Sequence, residues 1–150
     1  MQVFIMSGIP GSGKSHWIQC FSGFVENRRI VCSADYYHMD DGVYRFRPEN
    51  ISKAHNACLM KYINTLQNEI EQSTLFVDNT NLTVWEISPY YRLAEVFGHK
   101  VEIIRIWADP LVAARRNVHN VPTDRVFSMY QNMLSERFPA HWKVRTVIGE

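Results

Sequence analysis

Residues 3–15 read VFIMSGIPGSGKS, an apolar run followed at once by a glycine-rich stretch. The second part fits G-x-x-x-x-G-K-[ST], with Gly8, Gly13, Lys14 and Ser15 on the fixed positions and a further glycine at Gly11. This is the Walker A pattern, and its surroundings suit it. Val3 to Met6 read as a short strand, and His16 to Phe24 as a helix. Glycines let successive backbone N–H groups turn inward toward phosphate oxygens, and the helix that follows adds the positive end of its dipole. Gly11, Ser12, Gly13, Lys14 and Ser15 are therefore the expected contacts to a nucleoside triphosphate, ATP or another. Lys14 suits the β- and γ-phosphates, and the Ser15 hydroxyl suits the Mg²⁺ that bridges them.

Composition sets the limits around that motif. The chain has 150 residues, 46% of them hydrophobic, and shows no linker-like or low-complexity tract or internal repeat, so one domain over residues 1–150 is expected. The formal net charge of +1 excludes a strong global field, so any polyanion site must be local. Cys20, Cys32 and Cys58 are odd in number and form no CxxC or zinc spacing, and no signal-peptide pattern opens the chain. These features favour a soluble protein in a reducing, cytoplasmic setting. No apolar run approaches the roughly 20 residues that cross a bilayer, which excludes a membrane partner.

Beyond the first strand, β-type runs recur at Arg28–Ser33 (RRIVCS), Leu75–Asn81 (LFVDNTN), Lys100–Trp107 (KVEIIRIW) and Val144–Ile148 (VRTVI). Helical spacing runs from Ile51 to Gln72 through Ala54, Ala57, Cys58, Tyr62, Leu66 and Ile70. Thr83 with Glu86 makes a capping-box start for a helix to about Phe97, which Gly98 stops. Pro110–Asn117, opened by Asp109 as N-cap, and Thr123–Arg137 complete the set. Strands alternating with helices imply an α/β three-layer sandwich with a mostly parallel sheet of about five strands. Functional side chains then gather at the carboxyl ends of the strands.

Two of those ends carry carboxylates. The second run ends in CSAD, leaving Asp35 beyond the sheet edge, and the third ends in VDNTN, leaving Asp78 and Asn81 there. Phosphoryl transfer to a hydroxyl needs a base that takes the proton and aims the oxygen, and Asp35 is the candidate. Asp78 suits either Mg²⁺ held through water or orientation of the acceptor. Charge on the phosphoryl group in flight is commonly met by an arginine from a lid. ARRNVHNVPTD (Ala114–Asp124) lies where a lid would sit and offers Arg115 and Arg116. On one helix these face about 100° apart, so one of the two points inward. His119 in the same stretch reads equally well as a surface histidine.

GIPGSGKSHW, SADYY, DDGVYRFRPE, FVDNTNL, and RRN followed by VPTDRVFSMYQNM together resemble the P-loop kinase domain of the T4-type polynucleotide 5′-kinases and their NEDD4-binding-protein-2-like (AAA_33-type) relatives, over roughly residues 1–138. The resemblance implies ATP-Mg²⁺ on Lys14 and Ser15, Asp35 as general base, Asp78 in the acceptor site and Arg116 as the lid arginine. Two positions depart from the phage kinases. His38 stands where an arginine follows the base by three residues, and Asn120 where a second lid arginine would be. Arg45 and Arg47, interleaved with Tyr44 and Phe46, offer a substitute set of phosphate contacts and stacking rings.

The expected function is ATP-dependent transfer of the γ-phosphate to a hydroxyl, foremost the 5′-OH end of DNA or RNA, with Asp35, His38, Arg45, Arg47, Asp78 and Asn81 around the acceptor. A small-molecule kinase and a nucleotide-dependent binding module without transfer stand as the alternatives.

Overall fold

The computed structural model describes residues 1–21, 28–68 and 72–149. In chain order its elements are β1 (Gln2–Ser7), α1 (Lys14–Cys20), β2 (Arg28–Cys32), a 3-10 turn over Ala34–His38, and the hairpin strands β3 (Met39–Asp40) and β4 (Val43–Tyr44). A second 3-10 turn at Pro48–Asn50 leads into α2 (Ile51–Gln67). Then come β5 (Ser73–Val77), α3 (Val84–Val96), β6 (Lys100–Trp107), α4 (Pro110–Arg116), α5 (Thr123–Ser135) and β7 (Val144–Ile148). Five strands form one sheet in the order β2-β5-β1-β6-β7, every pairing parallel. All five therefore deliver their carboxyl ends to a single edge.

Strand β1 is apolar without alternation because both faces of the sheet are covered. Val3 and Ile5 face α2 and α3, which present Ala54, Cys58, Tyr62, Leu66, Ile87, Tyr90, Tyr91 and Ala94. Phe4 and Met6 face the opposite layer, where Ile18 of α1 joins Phe76, Ile104 and Ile106. Trp17 and Phe21 pack edge-on against the Phe4 ring, with centroids 5.8 and 5.0 Å away. A third cluster sets Ile9, within the glycine-rich loop, against Leu82, Ala113, Val126 and Met133. Complete burial of an isoleucine is worth about 1.5–3 kcal/mol, and here it anchors the loop from below.

Local chemistry explains most of the element ends. Thr83 Oγ1 accepts from the Glu86 N–H at 3.2 Å, and Glu86 Oε2 accepts from the Thr83 N–H at 2.9 Å, the reciprocal capping box of α3. Asp109 Oδ1 caps α4 through the N–H groups of Leu111 and Val112. Gly98, at φ +76°, ends the α3 turn.

Several expected boundaries move. Helix α1 starts at Lys14, earlier than His16, and ends at Cys20, while residues 22–24 of the expected helix lie outside the described residues. Helix α2 ends at Gln67 instead of Gln72, with Ile70 outside the described residues and Gln72 turned to φ +64° ahead of β5. Strand β5 stops at Val77, and the chain then bends at Asn79 and takes φ +45° at Asn81. Helices α4 and α5 end at Arg116 and Ser135, before Asn117 and Arg137.

Candidate nucleotide and acceptor site

The loop after β1 turns on two left-handed glycines, Gly11 at φ +77° and Gly13 at φ +99°. They differ in what surrounds them. A Cβ on Gly11 would fall on the carbonyl oxygen of Ala113 in α4, with the Ala113 carbonyl carbon at 2.8 Å. A Cβ on Gly13 would meet nothing within 4 Å, since that residue borders an open cleft. Lys14 folds back over the loop, its Nζ donating to the carbonyls of Gly8 and Ile9 at 3.0 Å each. An ammonium has three donors, so one remains for a phosphate. Burial lowers the Lys14 pKa, and Asp78 and then Asp35 pull it back up.

Both rim carboxylates stand beside this loop. Ser15 Oγ donates to Asp78 Oδ2 at 2.8 Å. Burial raises the Asp78 carboxyl, opposed by that hydrogen bond and by the Lys14 charge, with Asp35 adding to the rise. Asp35 is half-buried at the start of the 3-10 turn, where the Ser33 hydroxyl caps its N–H. Its Oδ2 lies 3.2 Å from His119 Nε2, and its Oδ1 accepts from the Tyr44 hydroxyl at 3.5 Å. Burial and the Asp35 charge push the Tyr44 phenol up to about 12, so it remains a donor at neutral pH.

One cleft of about 960 Å³ takes in the glycine-rich loop, Asp35, Asp78, His38, Tyr44, Phe46, Arg116 and Arg125. Ligand clefts run about 300–1,000 Å³, so this one has room for a nucleotide and an acceptor together. Tyr44, Phe46, Ile51 and His55 add an apolar and aromatic wall, supplied by the contiguous stretch from Ala34 to His55. His38 is buried, with its ring 5.1 Å from Phe46 and 5.9 Å from Tyr44.

The expected placements of Arg45, Arg47 and Asn81 require correction. Arg45 and Arg47 are absent from this cleft. They line a separate cavity of about 180 Å³ behind the hairpin with Tyr37, Asp40 and Asn50, and Arg45 pairs with Asp40 at 3.4 Å. An extended segment alternates its side chains, so Tyr44 and Phe46 take one face and the arginines the other. Asn81 is not on the open rim either. It is buried under the loop, where its Nδ2 donates to the Met6 carbonyl at 2.8 Å while the neighbouring Thr80 carbonyl accepts from the Gly8 N–H at 2.9 Å. Of the two lid arginines, Arg116 lines the cleft and Arg115 does not.

The sequence reading missed Asn79, Arg125 and the contact of His119 with Asp35. Asn79 Oδ1 accepts from the Ala34 N–H at 2.9 Å and its Nδ2 lies 3.4 Å from Cys58 Sγ, tying the Asp35 turn to β5 and α2. Arg125, in the first turn of α5, brings a second lid-side cation where Asn120 had suggested a deficit. Helical spacing would have found it, since Val126, Met129 and Met133 fix the inward face of α5 and the cleft takes in Met129 beside it.

The donor set beside the loop fits Mg²⁺. A serine hydroxyl and a carboxylate in direct contact are hard oxygen donors, and Mg²⁺ is usually held by one or two carboxylates plus substrate phosphates instead of an all-protein cage. Among the described residues no cluster of three His, Cys, Asp or Glu comes together to make such a cage.

A Walker A loop on the central strand of an all-parallel sheet, with carboxylates after the two strands to one side of it, defines a P-loop kinase domain with a nucleotide site at the sheet edge. Residues 3–132 match the AAA domain family (AAA_33), and the chain belongs to that family. NEDD4-binding protein 2 of Homo sapiens is 30% identical over 138 residues, which are 87% of this chain and 8% of that protein. Three solved structures share the fold. A candidate kinase of Chloroflexus aurantiacus superposes with a TM-score of 0.66 at 17% identity, covering 98% of this chain and 87% of its own. A gluconokinase of Sinorhizobium meliloti gives 0.60 at 16% identity, over 99% and 82%. Kti12 of Chaetomium thermophilum, solved with ADP-AlF3, gives 0.62 at 13%, over 97% and 88%. Among the described residues no helix is long and apolar enough to cross a membrane.

Proposed function

We propose that this chain acts as one kinase domain over residues 1–150 and transfers the γ-phosphate of ATP to a hydroxyl, foremost the 5′-OH end of a polynucleotide, with Asp35 as general base. The observation that carries the reading is the shared cleft: the Asp35 carboxylate, the Lys14–Ser15 loop and the rings of Tyr44 and Phe46 all line it. Aromatic faces stack nucleobases, each worth about 1–3 kcal/mol, which favours a nucleoside-bearing acceptor. Three free cysteines, one of them exposed, accord with an intracellular setting.

In this mechanism Asp35 takes the proton of the acceptor hydroxyl as its oxygen bonds to the γ-phosphorus and the bond to the β–γ bridging oxygen breaks, releasing ADP. Lys14, Arg116 and Arg125 meet the charge on the equatorial and leaving oxygens. Ser15 and Asp78 are the residues that would hold Mg²⁺, which would supply positive charge to offset that of the transferring phosphoryl group.

A small-molecule acceptor is the second reading. It is favoured by the position of Arg45 and Arg47 outside the cleft. One assay separates the readings: a 5′-OH oligonucleotide, ATP labelled at the γ-phosphate, and Mg²⁺. Label on the oligonucleotide supports the proposal. Label only on sugars or nucleosides replaces it with the second reading, and nucleotide binding without transfer to any acceptor overturns both.

A further inference from the structure

His119 reaches across the cleft from the loop between α4 and α5 and touches the candidate base. Its Nε2 is 3.2 Å from Asp35 Oδ2, and its ring stacks on Tyr44 with centroids 4.1 Å apart and planes 35° from parallel. Asn117 ties the base of the loop that carries it. Asn117 Nδ2 donates to the carbonyls of Ala114 and Val121 at 3.2 and 3.0 Å, and Asn117 Oδ1 accepts from the Val121 N–H at 2.9 Å. Asn120 completes the turn at φ +54°. A built loop thus presents one imidazole to one carboxylate oxygen.

We infer that His119 is the positioning residue for Asp35, an inference that rests on the phosphotransferase reading. Its Nε2 contact with Oδ2 fixes the rotation of the carboxylate, and the Tyr44 hydroxyl meets Oδ1 from the other side, so the acceptor hydroxyl meets a carboxylate held in one orientation. The same helix–loop unit places Arg116 in the cleft. The loop that orients the base thus follows directly on the helix that brings Arg116 to the cleft.

The test uses His119→Ala, His119→Gln, Asp35→Asn and the double variant His119→Ala/Asp35→Asn in the full chain. His119→Ala should lower kcat by about 10- to 100-fold, the scale at which misplacement of a reacting group acts, with nucleotide Kd unchanged. His119→Gln, which keeps an N–H donor, should recover most of that loss. In the Asp35→Asn background His119→Ala should cost little more, because the group it orients is already gone. Additive losses in the double variant, or a fall in nucleotide affinity equal to the fall in kcat, would overturn the inference. Hydrogen exchange over residues 118–121 reads the contact with no acceptor present. It should quicken equally in His119→Ala and Asp35→Asn and stay slow in His119→Gln, and unchanged exchange in both of the first two variants overturns the inference whatever the kinase assay gives. A wild-type chain that phosphorylates no acceptor removes the phosphotransferase reading itself, and with it the positioning role.

Discussion

Adding the same methyl group at Gly11 and at Gly13 should have different consequences, although both residues are left-handed and only two positions apart. Each alanine would carry a backbone cost of about 1–2 kcal/mol for a Cβ in that region. At Gly11 the methyl also meets the Ala113 carbonyl, main chain of α4 that cannot rotate aside, and overpacking of this kind adds about 1–3 kcal/mol. At Gly13 no such cost arises, because the Cβ points into open space. Gly11→Ala should thus lose about 2–5 kcal/mol and Gly13→Ala about 1–2, and for a chain of this size each kcal/mol moves Tm by about 2–4 °C. Adding nucleotide should set the two variants apart a second time. Ligand at a hundredfold over Kd stabilises by about 2.7 kcal/mol; Gly11→Ala should keep much of that gain and Gly13→Ala little, because its methyl occupies the cradle. Thermal melts with and without ATP-Mg²⁺ provide both readings. Equal losses without nucleotide, or a wild-type nucleotide shift in Gly13→Ala, would refute the packing described for the loop.

Other perturbations follow from the same geometry. Lys14→Ala should lower transfer by about 100-fold or more, the scale of a lost transition-state donor, and steady-state kinetics retaining above a tenth of activity would count against it. Asp35→Asn should reduce kcat by about 10²- to 10⁴-fold with nucleotide Kd little changed, whereas Asp78→Asn should alter the Mg²⁺ dependence; the reverse pattern in a metal titration would exchange their roles. Burial holds the Asp78 carboxyl above its unfolded value, so the folded chain binds that proton more tightly than the unfolded one. The resulting stability is present below the ordinary aspartate range near pH 3.9 and is lost as pH rises through the folded value. The Tm advantage of Asp78→Asn over wild type should therefore grow as pH rises through that window in a melting series. Arg45→Ala with Arg47→Ala should leave a mononucleoside acceptor unaffected and, for a long oligonucleotide, raise KM and flatten its salt dependence; a KM for both acceptors that ignores the changes assigns the arginines no part in binding.

The legible parts of this chain are those where a few adjacent residues determine the outcome. The Asp109 cap and the Thr83–Glu86 box depend on neighbours within four positions and the Walker A pattern on eight adjacent residues, and each forms as its letters suggest. Asp35 and Asp78 were legible because parallel strands bring their ends to one edge. The hairpin at Met39–Tyr44 was not, since two-residue strands are too short to show a period. YRFR at residues 44–47 does carry one: its period of two already assigns rings and guanidiniums to opposite faces, although charge alone suggested that they act together. Asn79 and Asn81 look like turn residues, and the chain does bend at Asn79 and turn left-handed at Asn81. Their burial, and the ties they make to Ala34 and Met6, depend on strands distant in sequence.

The wall facing Asp35 comes from one uninterrupted stretch, Ala34 to His55, whereas the phosphate loop and the lid come from elsewhere in the chain. That stretch is flanked by core residues, Cys32 at the end of β2 and Cys58 in α2, and Ala34 and Ala54 fasten its two ends to that core. A graft of the corresponding stretch from another chain of this fold would replace the surface that an acceptor meets and leave the nucleotide half of the cleft as built. Acceptor choice can thus diverge through insertions and substitutions in some twenty contiguous residues, a compact target for directed recombination.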